Sequence, residues 1–136
     1  MTFADFLNAY IGNEAINGDF CDFNLQWWSL RDRENVLIVR YEDIVHQPFQ
    51  EVRRIAQFLG YALSAEKIDT IVHNTTFDIM ANNSELNRTL DSGVDKFLRK
   101  GKVGDWKTWL TVAQNEVVDA WMTDKLKGTG LNFHYE

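Results

Sequence analysis

The sequence predicts a helix-rich α/β fold, and three observations indicate that class. Apolar residues recur at helical spacing over most of the 136 residues. One continuous aliphatic run, residues 36–39, is typical of a strand that is covered on both faces, as in parallel sheets, so we expect a strand at about 36–40. A basic loop at 96–107, which contains two glycines, interrupts the helical pattern.

Composition excludes several classes of function. Hydrophobic residues make up 45% of the chain, which is enough for one folded segment spanning 1–136. A net charge of -6 argues against nucleic-acid binding by the whole surface. The single cysteine, Cys21, excludes an internal disulfide and a multi-cysteine metal site, and it favours the cytosol. No apolar run approaches the roughly 20 residues of a membrane span, and the N-terminus does not resemble a secretory signal.

Two helices are predicted before the strand, separated by the segment "NGDF". Their apolar positions are Phe3, Phe6, Leu7, Tyr10 and Ile11 in the first, and Phe23, Trp27, Trp28 and Leu30 in the second. Tyr41, Glu42 and Asp43 follow the strand, where ligands bind in open α/β sheets. The alternative is that Asp43 only stabilises the next turn or helix start. A lone strand of the parallel type also predicts that further strands lie elsewhere, or that the isolated chain associates.

The helices after the strand have clear boundary signals. Pro48 suits a first helical position and Gly60 a C-terminal stop, while Ser64 is expected to cap the next helix. The polar stretch 78–95 predicts a long loop. Thr111 and Gln114 fit a capping box for the last helix, which Gly128 ends. The apolar faces contain Phe49, Val52, Ile55, Ala56 and Leu59, then Ile68, Ile71 and Val72, and finally Val117, Ala120, Trp121 and Leu126.

The basic loop is the strongest functional signal from the residues alone. Its cations are Lys96, Arg99, Lys100, Lys102 and Lys107. Glycines let backbone N–H groups approach an anion, Arg99 can grip a phosphate with two hydrogen bonds, and Phe97 could cover an apolar ring. A phosphorylated nucleotide fits this description, and so does single-stranded nucleic acid. A solvated basic turn, with its tryptophans in the core, is the third possibility.

One of these alternatives is favoured by the nine residues "RKGKVGDWK", because they resemble a known family motif. They match a motif of the cytosolic sulfotransferases at Arg99, Lys100, Gly101, Gly104, Asp105, Trp106 and Lys107. The likeness extends from about residue 1 to 136 through "LQWW", "VLIVRYEDI", "FLG" and "NTTF". The chain therefore resembles the C-terminal part of that family, which implies part of a P-loop-like sulfotransferase fold and transfer of a sulfuryl group from 3'-phosphoadenosine 5'-phosphosulfate to a hydroxyl or amine of a small acceptor.

The resemblance implies a role for each matching residue. Arg99, Lys100 and Gly101 would hold the 3'-phosphate of the cofactor, whose product is 3',5'-adenosine bisphosphate. The residues expected around the nucleoside are Tyr41, Thr75, Phe77, Phe97 and Leu98. The chain departs from the common pattern at Leu98, where methionine is usual, and at Asn74, where histidine is usual. Many relatives also dimerise through a motif represented here by Lys107, Thr111, Val112 and Glu116, a patch small enough to predict a weak homodimer.

The family's catalytic parts have no counterpart in these 136 residues. No Lys-Ser-Gly-Thr-type phosphate loop is present, and the histidines, His46, His73 and His134, have no partner in the sequence that indicates a catalytic role. We therefore assign no catalytic residue and no metal ligand, and we expect the chain to lack catalysis alone, with the phosphosulfate-binding half absent. Residues 78–95 would touch the acceptor. The alternative function is a truncated, non-catalytic nucleotide-binding or dimerisation module.

Overall fold

A computed structural model describes residues 2–12, 18–86 and 98–135 of the chain. Within these ranges the chain is helical. The elements are α1 (Phe3–Ile11), α2 (Phe20–Trp28), α3 (Tyr41–His46), α4 (Pro48–Phe58), α5 (Ala65–Asn74), α6 (Phe77–Asn82), a short 3-10 helix (Asp105–Thr108) and α7 (Val112–Leu126). They form two compact units, the first made of residues 1–38 and 104–134 and the second of residues 39–103 and 135–136.

The first unit is built on aromatic packing. Helix α2 packs against α7. The Tyr10 ring lies 6.4 Å from Phe20 and 6.1 Å from Trp121, and Phe20 lies 5.2 Å from Phe133. The Trp28 indole N–H donates to the Thr129 carbonyl at 3.2 Å, which ties the end of α2 to the segment after α7. The buried apolar residues of this unit are Leu7, Cys21, Met122 and Leu131.

Helix starts in the first unit are capped as the sequence predicts for α7. The Thr111 hydroxyl accepts from the Gln114 N–H at 3.3 Å, and the Gln114 side chain accepts from the Thr111 N–H at 2.9 Å. This reciprocal pair satisfies two backbone donors that the helix itself leaves without partners. Thr2 and Asp5 make the same arrangement at α1.

The second unit contains α3 to α6, with α4 packed on both α3 and α5. Ala56 and Ile68 are buried in it. The predicted boundaries are confirmed: Pro48 is the first residue of α4, Gly60 follows its end with a φ of 81°, and the Ser64 hydroxyl accepts from the Lys67 N–H at 3.4 Å at the start of α5. Side-chain capping and a positive-φ glycine thus delimit the helices of this unit.

The strand expected at about 36–40 is not assigned as a strand in the described part of the chain. Residues 36–40 form no regular secondary structure there, and the backbone of Arg40 is extended, with φ -95° and ψ 139°. A strand is stabilised by hydrogen bonds to a neighbouring strand, and the described ranges contain none. The helix-rich character is therefore confirmed, and the parallel sheet stays a prediction.

Two loop boundaries drawn from the sequence are wrong. Residues 78–82 belong to α6 and not to a loop, because Thr76 provides an extended N-cap and Met80 and Ala81 are good helix formers. Residues 105–107 belong to the 3-10 helix, so the irregular part of the basic loop in the described residues is 98–104. Asp43 lies in the first turn of α3, as the structural alternative proposed. None of the helices in the described ranges is long and apolar enough to cross a membrane.

Candidate functional site

The predicted nucleotide-binding residues that the structure describes all lie in the second unit. They come from the start of α3, the turn between α5 and α6, and the irregular basic segment. These residues are Tyr41, Thr75, Phe77, Leu98, Arg99, Lys100 and Gly101. Phe97 lies outside the described residues.

The structure brings two of the sequence segments together at Gly101 and Phe77. Gly101 has a φ of +62°, a conformation that residues with a side chain rarely adopt. A Cβ atom placed on it would overlap the Phe77 ring, with Cγ at 2.6 Å and Cε2 at 2.9 Å. Glycine is therefore required at position 101 for two reasons: the positive φ and the close approach of the Phe77 ring. The contact places the backbone of the basic segment directly on the first residue of α6.

Thr75 occupies the turn that precedes this contact. It is the C-cap of α5, and its hydroxyl donates to the Ile71 carbonyl at 2.8 Å. The neighbouring Thr76 hydroxyl donates to the His73 carbonyl at 3.0 Å. The bond to Ile71 holds the Thr75 side chain in one orientation. Because the proton is used within the helix and the residue is exposed, the Thr75 oxygen is left to accept from an external N–H donor.

Charge at the site comes from three cations within four residues. Arg99, Lys100 and Lys102 are exposed, whereas Leu98 is half-buried and anchors the segment. Tyr41 is an exposed aromatic ring at the first position of α3. The described residues thus offer an exposed cationic stretch, a glycine on which an aromatic ring packs directly, and a second aromatic ring in the same unit.

The predicted dimer residues lie in the first unit and are all exposed. Lys107 is in the 3-10 helix, with its ammonium 5.6 Å from the centre of the Trp106 ring. Val112 is 78% exposed at the start of α7. Glu116 lies one turn further on the same helix, on the same side as Val112. A surface with a cation, an apolar residue and an anion in this order is self-complementary under a two-fold axis.

Two further candidates for a functional centre in the described ranges are a metal site and the histidines. No group of three or more His, Cys, Asp or Glu residues there could hold a metal ion. The three histidines are exposed and dispersed: His46 ends α3, His73 lies in the last turn of α5, and His134 lies near the C-terminus.

The sequence did not indicate an ion-pair cluster in the first unit. The buried Asp19 carboxyl accepts from the Asp22 N–H at 3.0 Å and lies 2.9 Å from the Lys125 ammonium. Burial by itself would raise the pKa of Asp19, but the hydrogen bonds from Asp22 and Lys125 outweigh it and lower that pKa. The same pair raises the pKa of Lys125. Lys125 is over a hundred residues from Asp19 in the sequence, so no local pattern indicates the pair.

A second unpredicted feature is an open cavity of about 570 Å³ in the second unit, between α4 and α5. Its floor includes the buried Ala56 and Ile68, and Arg53 and Tyr61 lie on its walls. None of the predicted nucleotide-binding residues lines it. The cavity and the predicted site are therefore different regions of this unit.

Comparison with known proteins identifies the family. The model of the sulfotransferase domain matches residues 1–130. Human sulfotransferase 1C2 is 37% identical over 99% of this chain, and dog sulfotransferase 1A1 is 39% identical over 97% of it. The alignments cover 48% and 47% of those relatives, so the chain spans about half the length of the curated relatives it matches. The chain belongs to the sulfotransferase domain family.

Solved structures give the same answer for the fold. A retinol dehydratase in complex with androsterone and the inactive cofactor PAP superposes with a TM-score of 0.90 at 27% identity, over 98% of this chain and 40% of that one. Mouse SULT7A1 complexed with PAP superposes with a TM-score of 0.82 at 27% identity, over 94% and 48% of the two chains. The resemblance to the sulfotransferases that the motif at 99–107 indicates is thus confirmed, as is the helix-rich part of their fold.

Proposed function

We propose that this chain supplies the 3'-phosphate clamp and part of the adenosine pocket of an enzyme that transfers a sulfuryl group from 3'-phosphoadenosine 5'-phosphosulfate to a hydroxyl or amine of a small acceptor. The observation that carries the proposal is the packing of Gly101 against Phe77. It joins two segments of the family pattern, 24 residues apart, at one place in the second unit. The complexes of two similar structures with PAP support the choice of nucleotide.

The chemistry of the described side chains matches the parts of that nucleotide. Arg99 and Lys100 supply charge-assisted hydrogen bonds to a phosphate dianion, and Gly101 lets the Phe77 ring pack directly on the backbone beside them. The Thr75 oxygen suits the amino group of an adenine, because its own proton is donated to Ile71. Phe77 and Tyr41 offer ring faces for stacking. Leu98, and Phe97 outside the described residues, complete the proposed pocket.

Turnover needs groups that these 136 residues do not provide. Sulfuryl transfer requires donors at the leaving phosphate and a base for the acceptor proton, and loss of one such donor typically lowers a rate by about 100- to 1,000-fold. The sequence has no Lys-Ser-Gly-Thr-type loop, and its histidines are dispersed. We therefore propose that the chain binds the nucleotide, dimerises weakly through Lys107, Thr111, Val112 and Glu116, works in the cytosol and lacks catalysis alone.

Isothermal titration calorimetry with 3',5'-adenosine bisphosphate tests the clamp. We expect Arg99→Ala to weaken binding by roughly 10- to 150-fold, because a hydrogen bond to a charged group contributes about 1.5–3 kcal/mol. Arg53→Ala is the matched control, since Arg53 is an exposed arginine on α4 of the same unit whose guanidinium stacks on Phe49 at 4.8 Å. Arg53→Ala should bind as the wild type does.

Three results would contradict the proposal. Equal affinities of Arg99→Ala and wild type would show that the basic segment does not bind the phosphate. Tighter, salt-sensitive binding of a plain oligonucleotide would favour a nucleic-acid site instead. Release of the sulfated product from 3'-phosphoadenosine 5'-phosphosulfate and a phenol by the chain alone would refute the assignment of catalysis to residues outside it.

The alternative is a non-catalytic module that dimerises without binding nucleotide. The observation that favours it is the exposure of all four predicted dimer residues in the first unit. No heat of binding with the nucleotide, together with concentration-dependent association, would support this alternative.

A further inference from the structure

We propose that the exposed rings of Phe3, Phe6 and Trp109, called here the α1 aromatic surface, dock against a second copy of the chain and enlarge the dimer contact. The inference rests on the dimer in the proposed function. It goes beyond that contact because two of the three rings belong to α1, which is distant in sequence from the predicted dimer residues.

The three rings form one connected surface within the first unit. The Phe3 ring lies 6.5 Å from Trp109 and 6.4 Å from Phe6. Trp109 is 55% exposed, Phe6 51% and Phe3 42%. The α1 aromatic surface also contacts the aromatic packing inside the unit, because the Phe6 ring lies 6.0 Å from Tyr10 and Tyr10 packs on Trp121. The surface is therefore mounted on the packed part of the unit.

Trp109 is held in place before any partner binds. Its indole N–H donates to the Asp105 carboxylate at 3.2 Å, and its backbone N–H donates to the Trp106 carbonyl at 2.9 Å. A side chain that is already positioned loses little conformational entropy on association. Tryptophan is also one of the residue types enriched among those that dominate interface energies.

The α1 aromatic surface adjoins the predicted dimer residues in the sequence. Trp109 lies between Lys107 and Thr111 in the sequence, and Val112, the most exposed of the large apolar residues in the structure's described part, follows directly. A contact through the four predicted residues alone is small beside the roughly 800 Å² that each partner buries in a standard interface. Three rings, each about half exposed, add on the order of 300 Å², because a buried aromatic side chain accounts for roughly 150–250 Å².

Charge favours a second copy over a partner of another kind. Lys107 and Glu116 carry opposite charges at the two ends of the predicted dimer residues. A two-fold axis between them places each lysine near the glutamate of the other copy. A partner with a surface of uniform charge would meet a like charge at one end.

Sedimentation velocity of the 136-residue chain over a concentration series tests the proposal. We expect Trp109→Ser and Phe6→Ser each to raise the dimer dissociation constant about tenfold or more. Phe23→Ser is the matched control, because Phe23 is 57% exposed on α2 of the same unit. It should leave the constant unchanged. Far-UV circular dichroism of every variant checks folding, and the two separate aromatic variants keep the test valid if one of them does not fold.

Val112→Glu separates failure of this inference from failure of the dimer itself. If Val112→Glu yields monomers while Trp109→Ser and Phe6→Ser dimerise as the wild type does, the aromatic surface lies outside the interface and the proposal is refuted. If the wild-type chain sediments as a monomer at every concentration, the dimer and the aromatic contact are both refuted. If only the aromatic variants associate more weakly and Val112→Glu dimerises as the wild type does, the aromatic surface forms the contact. The predicted motif at 107–116 then lies outside it.

Discussion

Replacement of Gly101 by alanine tests the contact on which the proposed nucleotide site depends. At its φ of +62° any residue with a side chain costs about 1–2 kcal/mol. The new Cβ would also overlap Phe77, and moving that ring off its preferred rotamer costs roughly 0.5–1.5 kcal/mol more. We therefore expect Gly101→Ala to lower the free energy of unfolding by about 2–3 kcal/mol and to weaken binding of 3',5'-adenosine bisphosphate.

Gly60→Ala provides the matched control in the same unit. Gly60 has a φ of +81° and no atom within 4 Å of an added Cβ, so only the backbone cost of about 1–2 kcal/mol applies. Urea unfolding followed by far-UV circular dichroism measures both variants. All five tryptophans lie in the first unit, so their fluorescence reports separately on that unit. Phe77→Ala combined with Gly101→Ala should recover about 1 kcal/mol relative to additive effects. Equal costs at the two glycines, with additivity in the double variant, would refute the reasoning.

Three further predictions concern the first unit. The pKa of Asp19 is lowered in the folded state, so its contribution to stability is present above the unfolded pKa near 4 and is lost as the pH falls below that value. Between pH 7 and pH 3 the urea midpoint of the wild type should therefore fall more than that of Asp19→Asn. Parallel curves for the two proteins would contradict a stabilising role of the Asp19 carboxylate. Burial, followed by the charge of Asp19, raises the pKa of Cys21 to about 11, so a thiol reagent at pH 8 should label it only as fast as the chain unfolds. Thr111→Ala should lower the free energy of unfolding by about 1 kcal/mol through loss of the cap of α7, whereas Thr111→Ser should retain most of the stability. Urea unfolding distinguishes the two variants. Identical midpoints would show that the cap does not contribute to stability.

Local signals in the sequence were sufficient for the starts of α4, α5 and α7. Pro48, Ser64 and Thr111 act through hydrogen bonds or dihedral angles within a few residues, so their effect can be read without knowing the fold. The helix α6 was missed because six residues are too few to show helical periodicity, and its packing against α5 adds to the stability of so short a helix. The Asp19–Lys125 ion pair joins the two ends of the sequence, and nothing local marks it.

The difference between local and long-range signals also explains how much the sequence of the basic segment can predict. Its cations and glycines are local, and they predict an anion site without identifying the anion. The need for glycine at position 101 has two causes, and only one is local. Asparagine, the other residue that adopts positive φ readily, would satisfy the backbone but place its side chain into Phe77, 24 positions earlier in the chain. The sequence motif therefore records a tertiary contact: the glycine belongs as much to the turn between α5 and α6 as to the phosphate clamp, and the proposed nucleotide site depends on both segments together.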